Sequence, residues 1–196
     1  ADYQRLQDQG ILTVREGLRW HLIETKPGVY DFSSVRPMLA AAQATGIQII
    51  WDLFHYGWPD DLDIFAPAFI DRFANLTRAF MQVLVDETDT NSLPLIVPVN
   101  EISFIAWAGG DVAYMNPFAQ GRDSELKIQL IRASIAATEA VWQILPQARI
   151  VQIEPVINIV APPDRPQARD EAEAYRLAQY QSLDVLAGRL WPEVGG

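Results

Sequence analysis

The 196-residue chain contains no cysteine. That excludes disulfide frameworks, thiolate metal sites and cysteine nucleophiles. It also leaves the redox compartment open, with the cytoplasm as the default expectation. Histidine is almost as scarce: His21 and His55 are the only two. A histidine-rich metal site is therefore unavailable, and neither a metal nor a cofactor is expected. Basic charge is sparse, with 15 Lys and Arg against 25 Asp and Glu and a net charge of −10. No basic run occurs. This argues against a nucleic-acid binder that tracks phosphates and against a basic helix lying on a membrane. No apolar run approaches the ~20 residues needed to span a bilayer. The opening "ADYQRLQDQG" is polar and lacks the apolar core of a signal peptide. Low-complexity segments and linkers are missing too. So is a glycine-rich phosphate turn: "GGDV" at Gly109 has the wrong spacing. A G-x-S-x-G elbow is also absent, which leaves a serine hydrolase on an open sheet without support.

What the chain has is apolar mass, 49% of its residues, enough for one core. It is read as a single domain over 1–196. Strand and helix alternate along it. A short helix ends at Gly10, and Ile11 to Trp20 reads as a strand. Pro27 and Gly28 mark a turn in "PGVYDFSS". A helix follows, with Ser33 or Ser34 as its N-cap, and runs to about Thr45 with Gly46 as its C-terminal cap. Ile47 to Phe54 is the next strand. Pro67 suits the first turn of a third helix, in which Phe69, Phe73, Leu76, Phe80 and Leu84 share one face. "PLIVPV" is the third strand. Ile128, Ile131, Ile135, Trp142 and Leu145 stripe another helix. "ARIVQIEPV" is the fourth strand, and Glu171 to Leu190 a last helix.

A helix followed by four strand–helix repeats predicts an α/β fold with a parallel sheet and right-handed crossovers. An open doubly wound sheet and part of a (β/α)8 barrel both fit. The placement of polar groups favours the barrel. Arg15 and Arg19 lie in the first strand and His55 just after the second. Asn100 and Glu101 follow the third, and Glu154 closes the fourth. A buried polar group without a partner costs roughly 2–7 kcal/mol, and a charge costs more. Polar groups at the carboxyl ends of several strands are how a barrel builds an active site. The expectation is a partial (β/α)8 TIM barrel of four parallel strands with outer helices.

Four ordered segments carry a resemblance: "VREGLRW", "ETKPGVYDFSSV", "GIQIIWDLFHYGWPDDL" and "VPVNE". Together they resemble retaining glycoside hydrolases of the large (β/α)8 clan, and "FHYGWP" looks most like family one, the β-glucosidase type. The likeness covers nearly the whole chain and makes its strands the second to fifth of eight. Ile102 stands where the family usually has proline. The family's nucleophile belongs on a seventh strand, so the resemblance implies that the rest of the barrel comes from the same or another chain.

The resemblance implies β-linked glycosides as substrates and a role for each residue. Glu101 is the expected general acid/base, since glycosidic cleavage needs a proton for the leaving oxygen and later a base for water. Asn100 would bind the sugar 2-hydroxyl, Arg15 the nucleophile, and His55 another sugar hydroxyl. Trp20, Trp58 and Trp107 are candidates for stacking on sugar rings, whose apolar faces suit flat aromatics. Glu154 is a candidate ligand contact. Each has a structural alternative: helix capping or pairing with an arginine for Glu101, turn bonding for Asn100, an ion pair with Glu16 or Glu24 for Arg15, a backbone bond for His55, and packing for the tryptophans. For Glu154 the alternative is an ion pair with Arg15. The partner expected is a carbohydrate, and the alternative function is a non-catalytic carbohydrate-binding or assembly module derived from such a barrel.

Overall fold

The computed structural model describes residues 2–88 and 93–189. The chain forms two compact units. One comprises the residues up to Asn100 together with Ala133–Gln152; the other comprises Glu101–Arg132 and the residues from Ile153 on.

In the first unit, helix α1 (Asp2–Asp8) leads into strand β1 (Thr13–Gly17). A short helix α2 (Trp20–Ile23) and a hairpin of β2 (Glu24–Lys26) and β3 (Val29–Tyr30) follow, turning at Gly28. Helix α3 (Arg36–Thr45), strand β4 (Gln48–Asp52), helix α4 (Pro67–Glu87) and strand β5 (Leu95–Val97) complete the run to Asn100. Four strands form one parallel sheet in the order β1-β4-β5-β6, with β1 and β6 at its edges. Every strand is shorter than its apolar run. The largest contraction is in the fourth: β6 is only Arg149–Ile150, because it pairs with β5 through Leu95 and Ile96 alone.

Side chains alternate across the sheet. Ile49, Trp51 and Ile96 are buried on the helix side, where Trp51 meets Phe80 of α4 edge-on at 5.2 Å. Thr13, Arg15, Gly17, Gln48, Ile50, Asp52, Leu95 and Val97 share the other face by register. The α4 face is as the spacing requires: Phe69, Phe73, Leu76, Phe80 and Leu84 are all buried. Pro67 opens that helix, and Gly46 caps α3 in the left-handed conformation, with φ 71°. The cap at the other end of α3 differs from expectation. Val35 is its N-cap, and Ser33 instead donates its backbone N–H to Asp31 at 2.8 Å.

Helix α6 (Asp123–Ile144) lends its part from Ala133 onward to this unit. Its buried side runs through Leu126, Leu130, Ala133, Ala137 and Val141, while Ile135 and Trp142 of the expected stripe are exposed. Small residues form the packed face, and a reading that counts only bulky side chains misses them.

In the second unit, helix α5 (Ile102–Ile105) continues into a π-helical turn over Ala106–Asp111. The two glycines of "GGDV" serve packing there. A Cβ on Gly109 would lie 2.8 Å from the Asn116 carbonyl oxygen, and one on Gly110 would lie 3.0 Å from Asp123 Cα. The last helical stretch is broken into α7 (Arg169–Ala178) and α8 (Gln181–Leu186). The expected end at Leu190 falls outside the described residues.

Candidate active site

Strand β4 ends on Asp52, whose side chain is 1% exposed. Its backbone carbonyl accepts from Leu18 N at 2.8 Å, so both its neighbours and its own strand fix it. Its Oδ2 lies 2.8 Å from His55 Nδ1 and 3.7 Å from Arg15 Nε. The histidine contact is a hydrogen bond, whereas the arginine contact is too long for one and is an ion pair only. Arg15 therefore pairs with Asp52. Glu16 instead accepts from the Tyr3 hydroxyl, and Glu24 from Trp20 and Arg72. Burial, and then the Glu16 carboxylate, push the Tyr3 hydroxyl above its ordinary range.

The chain after Asp52 turns back on itself. Tyr56 adopts φ 66°, a left-handed conformation costly for a residue with a side chain, and its ring lies 4.5 Å from the His55 ring. Asn100 joins this group. Its backbone N–H donates to the Phe54 carbonyl at 3.0 Å, and its side-chain Nδ2 donates to the Tyr56 hydroxyl at 2.9 Å. Asn100 is 1% exposed. Among the described residues its Oδ1 is buried without a hydrogen-bond partner, a state costing about 1–3 kcal/mol. The first unit thus brings Arg15, His55 and Asn100 together around Asp52 and Tyr56, at the carboxyl ends of β4 and β5.

Glu101 and Glu154 belong to the second unit. Glu101 is half-buried and left-handed, with φ 50° and ψ 62°. Its N–H donates to the Ile153 carbonyl at 3.0 Å, and its own carbonyl accepts from Ile105 N at 3.0 Å. Its carboxylate does not cap α5. Glu154 takes that part: its two oxygens accept from Ser103 N at 3.2 and 3.0 Å, and Ser182 Oγ also donates to it. Burial raises the Glu154 carboxyl above the ordinary glutamate range, opposed by those hydrogen bonds and by the charge of Lys127. Lys127 is itself pulled down by burial and donates to the Gln181 side chain at 2.8 Å.

The tryptophans divide. Trp20 has no exposed surface. It packs against Phe54, Phe69 and Phe73 at 5.3–6.2 Å and donates Nε1 to Glu24 at 2.6 Å. The expectation that it stacks on a sugar is therefore corrected: it is a core residue with a satisfied N–H. Trp58 is also buried, between Phe54 and Phe69, and donates to the Leu62 carbonyl. Trp107 keeps an exposed face beside Phe104 and Tyr114.

Sequence reasoning passed over Asp52 and Tyr56. Asp52 had a signal: it is the one acid in "IIWDLF", an apolar run otherwise fit for burial. A cavity of about 650 Å³ lies at the opposite end of the sheet, lined by Ile47, Gln48, Leu84 and Pro94 among others. It sits at the amino ends of β4 and β5, away from this constellation.

Neither a family model nor a curated protein matches the sequence. Solved structures do. The AHE enzyme from Alicyclobacillus herbarius is similar over 98% of this chain, with a TM-score of 0.85 and 18% identity. The β-glucosidase from Thermotoga maritima, in complex with methoxycarbonyl-substituted glucoimidazole, is similar over 92%, with a TM-score of 0.75 and 16% identity. The fold, a four-strand parallel sheet with helices, matches part of a (β/α)8 barrel. The virulence factor SghA, in complex with its substrate analog salicin, is similar over 93% at a TM-score of 0.77 and 15% identity. The chain spans 44%, 42% and 41% of these three proteins respectively. At such identities the likeness establishes fold, and it extends over most of the chain.

Proposed function

We propose that the chain is part of a retaining glycoside hydrolase acting on β-linked glycosides. In this reading it forms one partial barrel domain, completed by strands from the rest of the same chain or from another. Glu101 is the acid/base, and the nucleophile is supplied by the remainder of the barrel. Arg15, His55 and Asn100 hold the sugar or the nucleophile. Trp107 offers a face for a ring, and Glu154 acts by fixing the start of α5, next to Glu101. The observation that carries the reading is the cluster of Arg15, Asp52, His55 and Asn100 at strand carboxyl ends. In (β/α)8 enzymes that end of the sheet is where the chemistry lies.

The mechanism sets its own test. A neutral carboxylic acid protonates the leaving oxygen as the nucleophile attacks the anomeric carbon. The resulting carboxylate then deprotonates the water that releases the sugar. Glu101→Gln keeps the shape and removes the proton. In the complete protein, turnover of an alkyl glycoside should fall about 10²–10⁴-fold, the usual worth of general acid–base catalysis. Formation of the glycosyl-enzyme from a dinitrophenyl glycoside, whose leaving group needs little protonation, should fall far less. Equal loss on both substrates sinks the assignment of Glu101.

A further inference from the structure

We propose that Asp52 is a positioning residue that fixes the tautomer of His55, so that the imidazole offers Nε2 as a hydrogen-bond acceptor to a ligand hydroxyl. The identity of that ligand rests on the glycoside reading; the tautomer does not.

The argument begins with the carboxylate. Beside a guanidinium, Asp52 accepts hydrogen bonds and has none to give. The atom 2.8 Å from its Oδ2 is His55 Nδ1, so Nδ1 carries the hydrogen. In a neutral imidazole the other nitrogen then holds a lone pair. The ring is anchored on its inner side, since Asp52 is almost wholly buried while the His55 side chain is 39% exposed. Nε2, across the ring from the anchor, is left for a ligand. The anchor is also rigid: Asp52 closes a paired strand, in register with Gly17 and Val97, whereas His55 lies in the turn beyond it. The Tyr56 ring, 4.5 Å away, braces the imidazole from the side. An ion pair serving only Arg15 would bring the guanidinium to hydrogen-bond distance. Instead the short contact goes to the histidine.

A hydroxyl group can donate or accept, so a wrong tautomer is not simply fatal. What the tautomer decides is which ligands are tolerated. An acceptor Nε2 needs a donor opposite, and fluorine in place of the hydroxyl cannot donate.

The test is a long-range ¹H–¹⁵N correlation spectrum of the imidazoles, at a pH where they are neutral. With only two histidines, a His21→Gln variant assigns both. The native His55 should show a protonated Nδ1 and a bare Nε2. The contacts of Asp52 with Arg15 and His55 fall on the same oxygen, Oδ2; Asp52→Ala removes that acceptor, and the neutral ring should move toward the form protonated on Nε2. A native ring protonated on Nε2 overturns the proposal without any variant. An unchanged pattern in folded Asp52→Ala overturns it too. In the complete protein, one member of a series of singly deoxyfluorinated β-glucosides should show a KM raised about tenfold, the worth of one hydrogen bond. Asp52→Ala should bring that ratio back toward one; an unchanged ratio counts against Asp52. Failure to turn over any β-glycoside would defeat the glycosidase reading and leave the nitrogen spectrum to decide the tautomer.

Discussion

Two carboxylates show how burial with partners gives an acid its task. Asp52 and Glu154 both lie on or beside strand ends, and each is held by groups that a sequence reader sees as unrelated: Asp52 by a histidine three residues on and an arginine on the next strand, Glu154 by a backbone N–H and a serine hydroxyl. For Glu154 the consequence is a pH dependence of stability. Burial raises its folded pKa above the 4.5 of an ordinary glutamate, so the native state binds more protons than the unfolded one in the interval between those two values. Stability then falls as pH rises through that interval. Glu154→Gln should flatten this slope, measured by urea unfolding at a series of pH values from 4 upward. A slope as steep in the variant as in the parent would assign the dependence to another group. Residue by residue, legibility followed surprise. Asn100 and Glu101 stood out because amide and acid interrupt an apolar run. Trp20 misled because an aromatic near a strand end looks the same whether it faces a ligand or the core. Only the buried neighbours Phe54, Phe69 and Phe73 separate the two cases.

At the scale of elements, period and punctuation carried most of the reading. Helix α4 was legible because five bulky residues recur on one face, and α3 because Gly46 ends it. Strand lengths were not legible, since an apolar run continues past the last residue whose neighbour can pair with it. The packed face of α6 was hidden because alanines give it little hydrophobic contrast. Gly46 offers a clean measurement. Its φ is 71°, and no atom lies within 4 Å of where a Cβ would sit. Gly46→Ala therefore meets no clash, and its cost is conformational alone, about 1–2 kcal/mol for a left-handed residue with a Cβ. Urea unfolding should show a lower midpoint at unchanged slope. No loss of stability would mean that α3 ends differently in solution.

For the molecule as a whole, the deciding feature is a parallel sheet with two edges. The sequence revealed the parallel order through its strand–helix alternation, and the fold comparison agrees. The face that Arg15 shares is partly polar: Thr13, Arg15 and Gln48 stand on it in register, all exposed. Edges are the stronger liability. Ile11 and Leu12, leading into β1, are exposed, and an unpaired strand edge invites another strand. The 196-residue chain is expected to self-associate. Sedimentation velocity should show an average mass that climbs above 22.0 kDa with concentration. A monomer at all concentrations would contradict this.

The same edge sets a rhythm in exchange with solvent deuterium. Leu18 donates its N–H to Asp52, and Leu12 accepts from Gln48, across the β1–β4 seam. Amide direction alternates along a strand, so Val14 and Glu16 also point inward to β4, while Arg15 and Gly17 point to the open side. Exchange along β1 should therefore alternate slow and fast, residue by residue. A strand docking from another chain or from the remainder of the barrel would erase that alternation and protect Arg15 and Gly17 as well. The backbone of Arg15 thus reports whether the sheet has found its next strand, independently of what its side chain does beside Asp52.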